Sequence, residues 1–156
     1  TGSFTITGCT FENNTATHMP AGIYIGEVSG SFTITNCAFT GNQSGEGVSA
    51  IYLGANTKGT INNCAFNNNT ASNNKGAIHC NWGPGPYIIK NCIFKNNTGC
   101  AITKRLTEPE ITNCSFYNNK STTPGFQTGY EHYYNGTNFK DAGHGTYASI
   151  NAIAGN

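Results

Sequence analysis

One pattern of eight residues recurs five times in the first 120 residues and limits the fold more than any other feature. In each copy an isoleucine is followed three residues later by a cysteine and five residues later by a phenylalanine. The cysteines are Cys9, Cys37, Cys64, Cys92 and Cys114, with spacings of 28, 27, 28 and 22 residues. Three residues after the phenylalanines stand Asn14, Asn42, Asn69, Asn97 and Asn119. A unit this short cannot bury its own apolar face, so the copies are expected to stack.

A second stretch recurs between the copies, as Ala21–Ile25, Ser49–Leu53, Gly76–Cys80 and Cys100–Thr103. Both stretches alternate apolar and polar residues, which is typical of half-buried strands. No apolar stripe of helical period occurs. The sequence therefore predicts an all-β protein, a right-handed parallel β-helix of about five coils with two strands per coil and room for a third. Its isoleucines should form one inward column and its phenylalanines another.

The five copies also carry an F-x-x-N motif, at Phe11–Asn14, Phe39–Asn42, Phe66–Asn69, Phe94–Asn97 and Phe116–Asn119. The best match to a second motif, G-G-A-[ILV], is Lys75-Gly76-Ala77-Ile78, in which Lys75 stands in place of the first glycine. With these two motifs the chain resembles the repeats of the chlamydial polymorphic outer membrane proteins over roughly residues 1–120. The resemblance implies a right-handed parallel β-helix and a role at a cell surface, commonly adhesion.

The repeat pattern divides the chain into coils at 1–121 and an atypical C-terminal segment at 122–156 within the same domain. This segment is expected to be a loop or cap, and its last residues resemble a degenerate coil. It is rich in aromatic residues, which pack well at interfaces. Candidates for a partner or subunit contact are Phe126, Tyr130, Tyr133 and Tyr134.

The first coil begins by Ser3, which predicts an exposed sheet edge there. Two interpretations stay open: further coils of a longer chain, or a second copy that docks head to tail and extends a filament.

Charge and composition exclude several function classes. The net charge is +1 and only 10% of residues are charged, so no basic patch for nucleic acid is expected. No apolar run is long enough to cross a bilayer, so no membrane insertion is expected. Polysaccharide-active β-helix enzymes need clustered carboxylates. The chain has only Asp141 and six glutamates, and Glu108 and Glu110 are expected to form surface ion pairs. The sequence thus predicts no enzyme, no catalytic residue and no cofactor.

The cysteine spacing does not match the close pairs of structural zinc sites, so no metal is expected. The five repeat cysteines are expected to be buried thiols that fill space, because in-register side chains lie further apart than the usual disulfide Cβ separation. Cys80 and Cys100 lie outside that column, in adjacent coils, and are candidates for a disulfide.

Several asparagines are acceptors for covalent N-glycans in N-x-[ST] sequons. The candidates are Asn13, Asn42, Asn68, Asn96, Asn119 and Asn135. Asn113 is a weaker candidate, because it directly precedes an inward cysteine. The rival interpretation for the asparagine three residues after each phenylalanine is an internal ladder of stacked amides.

Together these features predict a secreted, non-enzymatic structural protein, a subunit or segment of a surface filament or surface layer. Its partners would be copies of itself or further coils of a longer chain. The alternative is an adhesin or carbohydrate-binding module that contacts host or cell-surface glycans. A polysaccharide-active enzyme is the least favoured class.

Overall fold

A computed structural model describes residues 2–26, 30–72, 75–81, 85–105, 107 and 109–120, and the backbone of 132–134, 139–141 and 145–146. The first coil contains β1 (Phe4–Thr7), β2 (Thr10–Glu12), β3 (Thr15–Ala16) and β4 (Ile23–Ile25). The second contains β5 (Ser31–Thr35), β6 (Ala38–Thr40), β7 (Gln43–Ser44) and β8 (Ile51–Leu53). The third contains β9 (Lys58–Asn62), β10 (Ala65–Asn67), β11 (Thr70–Ala71) and β12 (Ile78–Cys80).

Within the described residues, later coils carry fewer strands. The fourth has β13 (Tyr87–Lys90), β14 (Ile93–Lys95) and β15 (Ile102–Lys104), and the fifth has β16 (Glu110–Thr112) and β17 (Ser115–Tyr117). In both coils a single bridge residue, Thr98 or Lys120, replaces the short third strand. No helix that is long and apolar enough to span a membrane occurs within the described ranges.

Equivalent strands of successive coils pair in parallel and form four sheets. The sheet orders are β1-β5-β9-β13-β16, β2-β6-β10-β14-β17, β3-β7-β11 and β4-β8-β12-β15. The register joins the repeats as the sequence aligns them, for example Ile6 with Ile34 and Phe11 with Phe39. The predicted parallel β-helix is confirmed. The expectation of two or three strands per coil is wrong for the first three coils, which have four.

The additional strands arise from two sharp bends in each coil. At each bend one residue has a positive φ of 50–65°. The first bend lies at Gly8, Asn36, Asn63, Asn91 and Asn113. The second lies at Asn13, Gly41, Asn68, Asn96 and Asn118. Glycine and asparagine are the residues that enter this left-handed region most easily, so their recurrence fixes both bends. The first bend splits each eight-residue pattern into two strands.

The interior consists of columns of identical residues. The phenylalanines Phe11, Phe39, Phe66, Phe94 and Phe116 stack at centroid distances of 4.7–5.0 Å with ring planes within 5° of parallel. We call this set the inner phenylalanine column. The isoleucines Ile34, Ile61, Ile89 and Ile111 form a second buried column. Ile6 and Phe11 of the first coil are only partly buried and pack against this core.

An asparagine ladder runs beside the phenylalanines. Asn69 Oδ1 accepts hydrogen bonds from the backbone N–H and the side-chain Nδ2 of Asn42, at 3.1 and 3.0 Å. Asn69 Nδ2 in turn donates to Asn97 Oδ1 at 3.0 Å and to the Phe39 carbonyl at 2.9 Å. These bonds satisfy amides that would be costly to bury alone.

Part of the C-terminal segment extends the fourth sheet. It contains β18 (His132–Tyr134), β19 (Phe139–Asp141) and β20 (Gly145–Thr146). β18 pairs antiparallel with β15, and β19 and β20 follow as antiparallel neighbours. The resemblance of residues 152–156 to a coil lies outside the described residues.

Candidate functional site

A surface groove lies where three equivalent loops stack beside the fourth sheet. The loops precede β4, β8 and β12, and the groove is a cavity of about 240 Å³. Its lining consists of His18, Met19, Pro20, Tyr24, Glu46, Gly47, Val48, Tyr52 and Lys75. The coil spacing therefore brings together residues from positions 18–75 of the sequence.

One wall of the groove is formed by stacked aromatic side chains that point away from the core. Tyr24 and Tyr52 stack at 5.1 Å with an interplanar angle of 10°, and His79 continues the stack at 5.4 Å. We call these three residues the outer aromatic column. They point outward because their strand neighbours, such as Ile23 and Ile25, face inward. Tyr24 keeps 55% of its surface exposed, whereas His79 is buried.

Hydrogen bonds hold this column in place. Asn81 Nδ2 donates to the Tyr52 hydroxyl at 2.6 Å. His79 Nδ1 and Thr103 Oγ1 of the next coil lie 2.8 Å apart. Because the rings of Tyr52 and His79 are fixed in this way, Tyr24 stacks on a rigid support.

The rim of the groove carries polar groups. His18 Nδ1 and Glu46 Oε2 lie 2.6 Å apart across adjacent loops, and both side chains are largely exposed. An exposed pair of this kind adds little stability. The loop beneath is fixed by Ser44, whose Oγ donates to the Met19 carbonyl at 3.0 Å and accepts the Gly47 N–H at 2.8 Å. The groove thus combines an exposed ring face with a hydrogen-bonding rim.

A second distinctive feature is the cysteine column, formed by Cys9, Cys37, Cys64, Cys92 and Cys114. Cys9 is exposed and the other four are buried. Every thiol donates to the carbonyl two residues earlier in its own coil, at 3.1–3.4 Å. The five side chains therefore adopt the same orientation, and their sulfurs follow one another along the axis.

The thiols of this column also interact with one another. Hydrogen bonds with Cys114 and Cys64 raise the pKa of Cys92. A hydrogen bond with Cys92 lowers the pKa of Cys64 to about 7, and another lowers the pKa of Cys114. Cys92 therefore holds its proton more firmly than Cys64 and Cys114 do. Burial raises the pKa of Cys37.

The predicted disulfide between Cys80 and Cys100 is not formed, and both residues are buried thiols. The strand register explains this. Cys80 lies opposite Lys104, whereas Cys100 lies two residues before Ile102, the partner of Ile78. The two cysteines are thus offset by four residues, about 13 Å along a strand, which exceeds disulfide reach. Burial also raises the pKa of Cys80.

Two of the acidic residues that the structure describes lie far apart. Glu12 is on β2 of the first coil and Glu110 is on β16 of the fifth, so four coil spacings, about 19 Å, separate them along the axis. Glu46 lies in the groove. Within the described ranges, no three His, Cys, Asp or Glu side chains form a metal-binding group. Glu108 and Asp141 have no described side chain.

The glycan candidates fall into two groups. Asn13 and Asn68 are exposed at the second bend, and Asn96 is half-buried there. Asn42 is fully buried in the ladder, so its prediction as an acceptor is wrong. Asn119 is half-buried, and its Nδ2 donates to the Phe94 carbonyl at 2.9 Å, which leaves it poorly placed. Asn113, taken as the weaker candidate, is exposed. Asn135 lies outside the described residues.

The proposed contact residues of the C-terminal segment stay a prediction. Phe126 and Tyr130 lie outside the described residues. Tyr133 and Tyr134 are described through their backbone, which pairs with Thr103 and Ile102 of β15.

Sequence reasoning missed the groove, although a signal was present. His18 and Glu46 are 28 residues apart, as are Tyr24 and Tyr52, and this is the repeat spacing. Residues so spaced stack whether they face the core or the solvent.

These stacked, parallel coils define the chain as a β-helix solenoid. The chain belongs to the family described as right-handed beta helix region, whose model matches residues 1–153. No curated protein and no solved structure matches the chain. The finer resemblance to polymorphic outer membrane proteins stays a prediction.

Proposed function

We propose that the chain is a non-enzymatic extracellular structural unit that is lengthened by stacking of further coils, from another copy or from the same chain. The supporting observation is the edge formed by the first coil. β1, β2, β3 and β4 are all end strands of their sheets. In the part of the chain that the structure describes, each has a neighbour on one side only, and an edge of this kind is a template for pairing.

Side chains at this edge are suited to receive another coil. Phe11 and Ile6 are partly exposed, whereas their equivalents Phe39 and Ile34 are fully buried. An added coil would continue the inner phenylalanine column and the isoleucine column, so its apolar side chains would leave water.

The separation of Glu12 from Glu110 supports the non-enzymatic role. A retaining glycosidase holds its two carboxylates about 5 Å apart and an inverting one about 6.5–9.5 Å apart. The proposed role needs no cofactor.

The exposed sequons at Asn13 and Asn68 support an extracellular location, with N-glycans as covalent additions. Intact-mass measurement with glycan mapping on protein from its native source tests this. We expect glycans at these positions and none at Asn42, and an unmodified chain would contradict the glycoprotein assignment.

The stacking edge is tested by placing a charge on its inward face. Ile6→Lys puts a charge where the next coil must pack, and Thr5→Lys puts the same charge on the exposed face of the same strand. We expect end-to-end assemblies of the original chain and of Thr5→Lys in electron micrographs and sedimentation, and monomers for Ile6→Lys. Monomers in all three samples at high concentration would refute stacking between copies.

The surface groove favours a second function, carbohydrate binding by an adhesin. Exposed aromatic rings stack on the apolar faces of sugars, and fixed polar groups orient the hydroxyls. Tyr24 offers such a ring, with His18 and Glu46 at the rim.

Binding to immobilised glycans tests this function. Tyr24→Ala is expected to lower affinity at least tenfold. Tyr117→Ala is the matched control, because Tyr117 is 50% exposed but lies on β17, outside the groove. Equal glycan binding by both variants would exclude the groove as the glycan-binding site.

A further inference from the structure

We propose that neighbouring sulfurs of the cysteine column bind a soft metal ion that takes two thiolates in line, of which Cu(I) is the representative. Each ion would sit between two cysteines of adjacent coils. The site is independent of the stacking and glycan-binding proposals.

The coil spacing matches this coordination. Backbone hydrogen bonds join the coils at each cysteine: Ala38 N–H donates to the Cys9 carbonyl at 2.9 Å, and Ala65 N–H donates to the Cys37 carbonyl at 3.0 Å. Parallel strands lie about 4.8 Å apart, and sulfurs of like orientation share that spacing. Two metal–sulfur bonds of about 2.3 Å, the length found for zinc thiolates, span about 4.6 Å when in line.

The sulfurs also face the space between coils. Besides the carbonyl of its own coil, each buried sulfur lies 3.6–3.8 Å from the isoleucine carbonyl of the preceding coil. A metal ion between two sulfurs would displace the thiol protons that now point at these carbonyls. Thiolates are soft ligands that favour Cu(I), zinc and iron–sulfur clusters, and of these Cu(I) is the one that two thiolates in line satisfy, since zinc sites take four ligands.

The column is open to solvent at one end. Cys9 at the first coil is exposed, whereas the four deeper cysteines are buried. An ion can therefore reach the column first at Cys9. The geometry of adjacent coils resists the competing disulfide, because the sulfurs of a disulfide must approach to about 2.05 Å.

The binding step involves no redox change. Two S–H bonds break, two Cu–S bonds form, and two protons pass to the buffer. The charge of Cu(I) cancels one of the two thiolate charges, which lowers the cost of burying them. Because each ion takes two adjacent sulfurs and each sulfur ligates one ion, five cysteines hold at most two ions.

Two double variants test the requirement for adjacency. Cys37→Ala with Cys92→Ala leaves Cys9, Cys64 and Cys114, of which no two are adjacent. Cys9→Ala with Cys114→Ala leaves three adjacent cysteines. Both retain three column thiols, so a difference between them reports geometry rather than thiol number.

Cu(I) is supplied anaerobically, and the bound ions are counted by native mass spectrometry after circular dichroism has verified the fold. We expect two ions for the original chain, one for the variant with three adjacent cysteines (the adjacent set), and none for the variant with three separated cysteines (the separated set). In chelator competition the separated set should bind Cu(I) at least 100-fold more weakly than the adjacent set. Cys80→Ala with Cys100→Ala should still bind two. Equal binding by the adjacent and separated sets would overturn the proposal.

X-ray absorption of the Cu(I)-loaded original chain gives a test that needs no variant. We expect two sulfur neighbours for each copper. Three or four sulfur neighbours, or no bound copper, would overturn the proposal.

Discussion

The inward and outward faces of the same coils carry two aromatic columns that have similar spacing but differ in residue type, length and alignment. The inner phenylalanine column continues through all five coils with rings within 5° of parallel. The outer aromatic column ends after three residues, and its angles reach 24°. The comparison shows that the coil spacing aligns side chains on either face, whereas only the inward face keeps the same residue in every coil. An outward column is therefore free to vary and can serve recognition.

The largest expected effect comes from the centre of the inner column. Phe66→Ala removes a fully buried ring that stacks on both Phe39 and Phe94. We expect the free energy of unfolding to fall by about 3–5 kcal/mol, because transfer energy is lost and a cavity remains. Urea denaturation measures this, and a loss below about 1 kcal/mol would show that the column does not carry the core.

The asparagine ladders give a second inward and outward comparison. Asn69→Ala leaves the backbone and side-chain donors of Asn42 without their acceptor, and we expect a loss of about 3 kcal/mol. Asn63 forms an exposed ladder bond, in which its Nδ2 donates to Asn36 Oδ1 at 2.8 Å.

Asn63→Gly is the matched control, since glycine keeps the left-handed bend. We expect a loss below about 1 kcal/mol in the same urea assay. Equal losses for Asn69→Ala and Asn63→Gly would remove the distinction between buried and exposed ladders.

A buried thiol is expected to make the free energy of unfolding depend on pH. Burial raises the pKa of Cys80 above its ordinary value of 9.0. Above that value the unfolded chain loses a proton that the folded chain keeps, so stability is fully present below about pH 9 and falls as pH rises.

Cys80→Ala should flatten the fall by about 1.4 kcal/mol per pH unit. Denaturation series between pH 8.5 and 10.5 measure the slope. Cys9→Ala is the exposed counterpart, and an equal change in slope for both variants would contradict the role of burial.

The smallest effect is expected at the outer column. Tyr24→Ala should change the free energy of unfolding by less than about 0.5 kcal/mol, because the ring is mostly exposed. Thermal unfolding measures this difference. A loss comparable to that of Phe66→Ala would show that the outer column is structural and not a recognition surface.

Much of the fold followed from the sequence because residues at the same position of successive repeats contact one another. Once Cys9 and Cys37 are aligned, the pairing of Ile6 with Ile34 and of Phe11 with Phe39 follows. The buried position of Asn42 was harder to assign, because its sequon and its place in the ladder pointed to different roles. The pairing of Cys80 with Cys100 failed because neighbouring coils do not guarantee register.

By itself, the sequence determined the class of fold, the inward columns and their order, because repeats of nearly constant length can satisfy their backbone edges only by stacking. The tertiary structure decided which loops meet on the surface. His18, Glu46 and Tyr24 form one groove because the two bends of each coil set the direction in which the loops leave the sheets. That direction also depends on the packing of neighbouring coils, which no local pattern specifies.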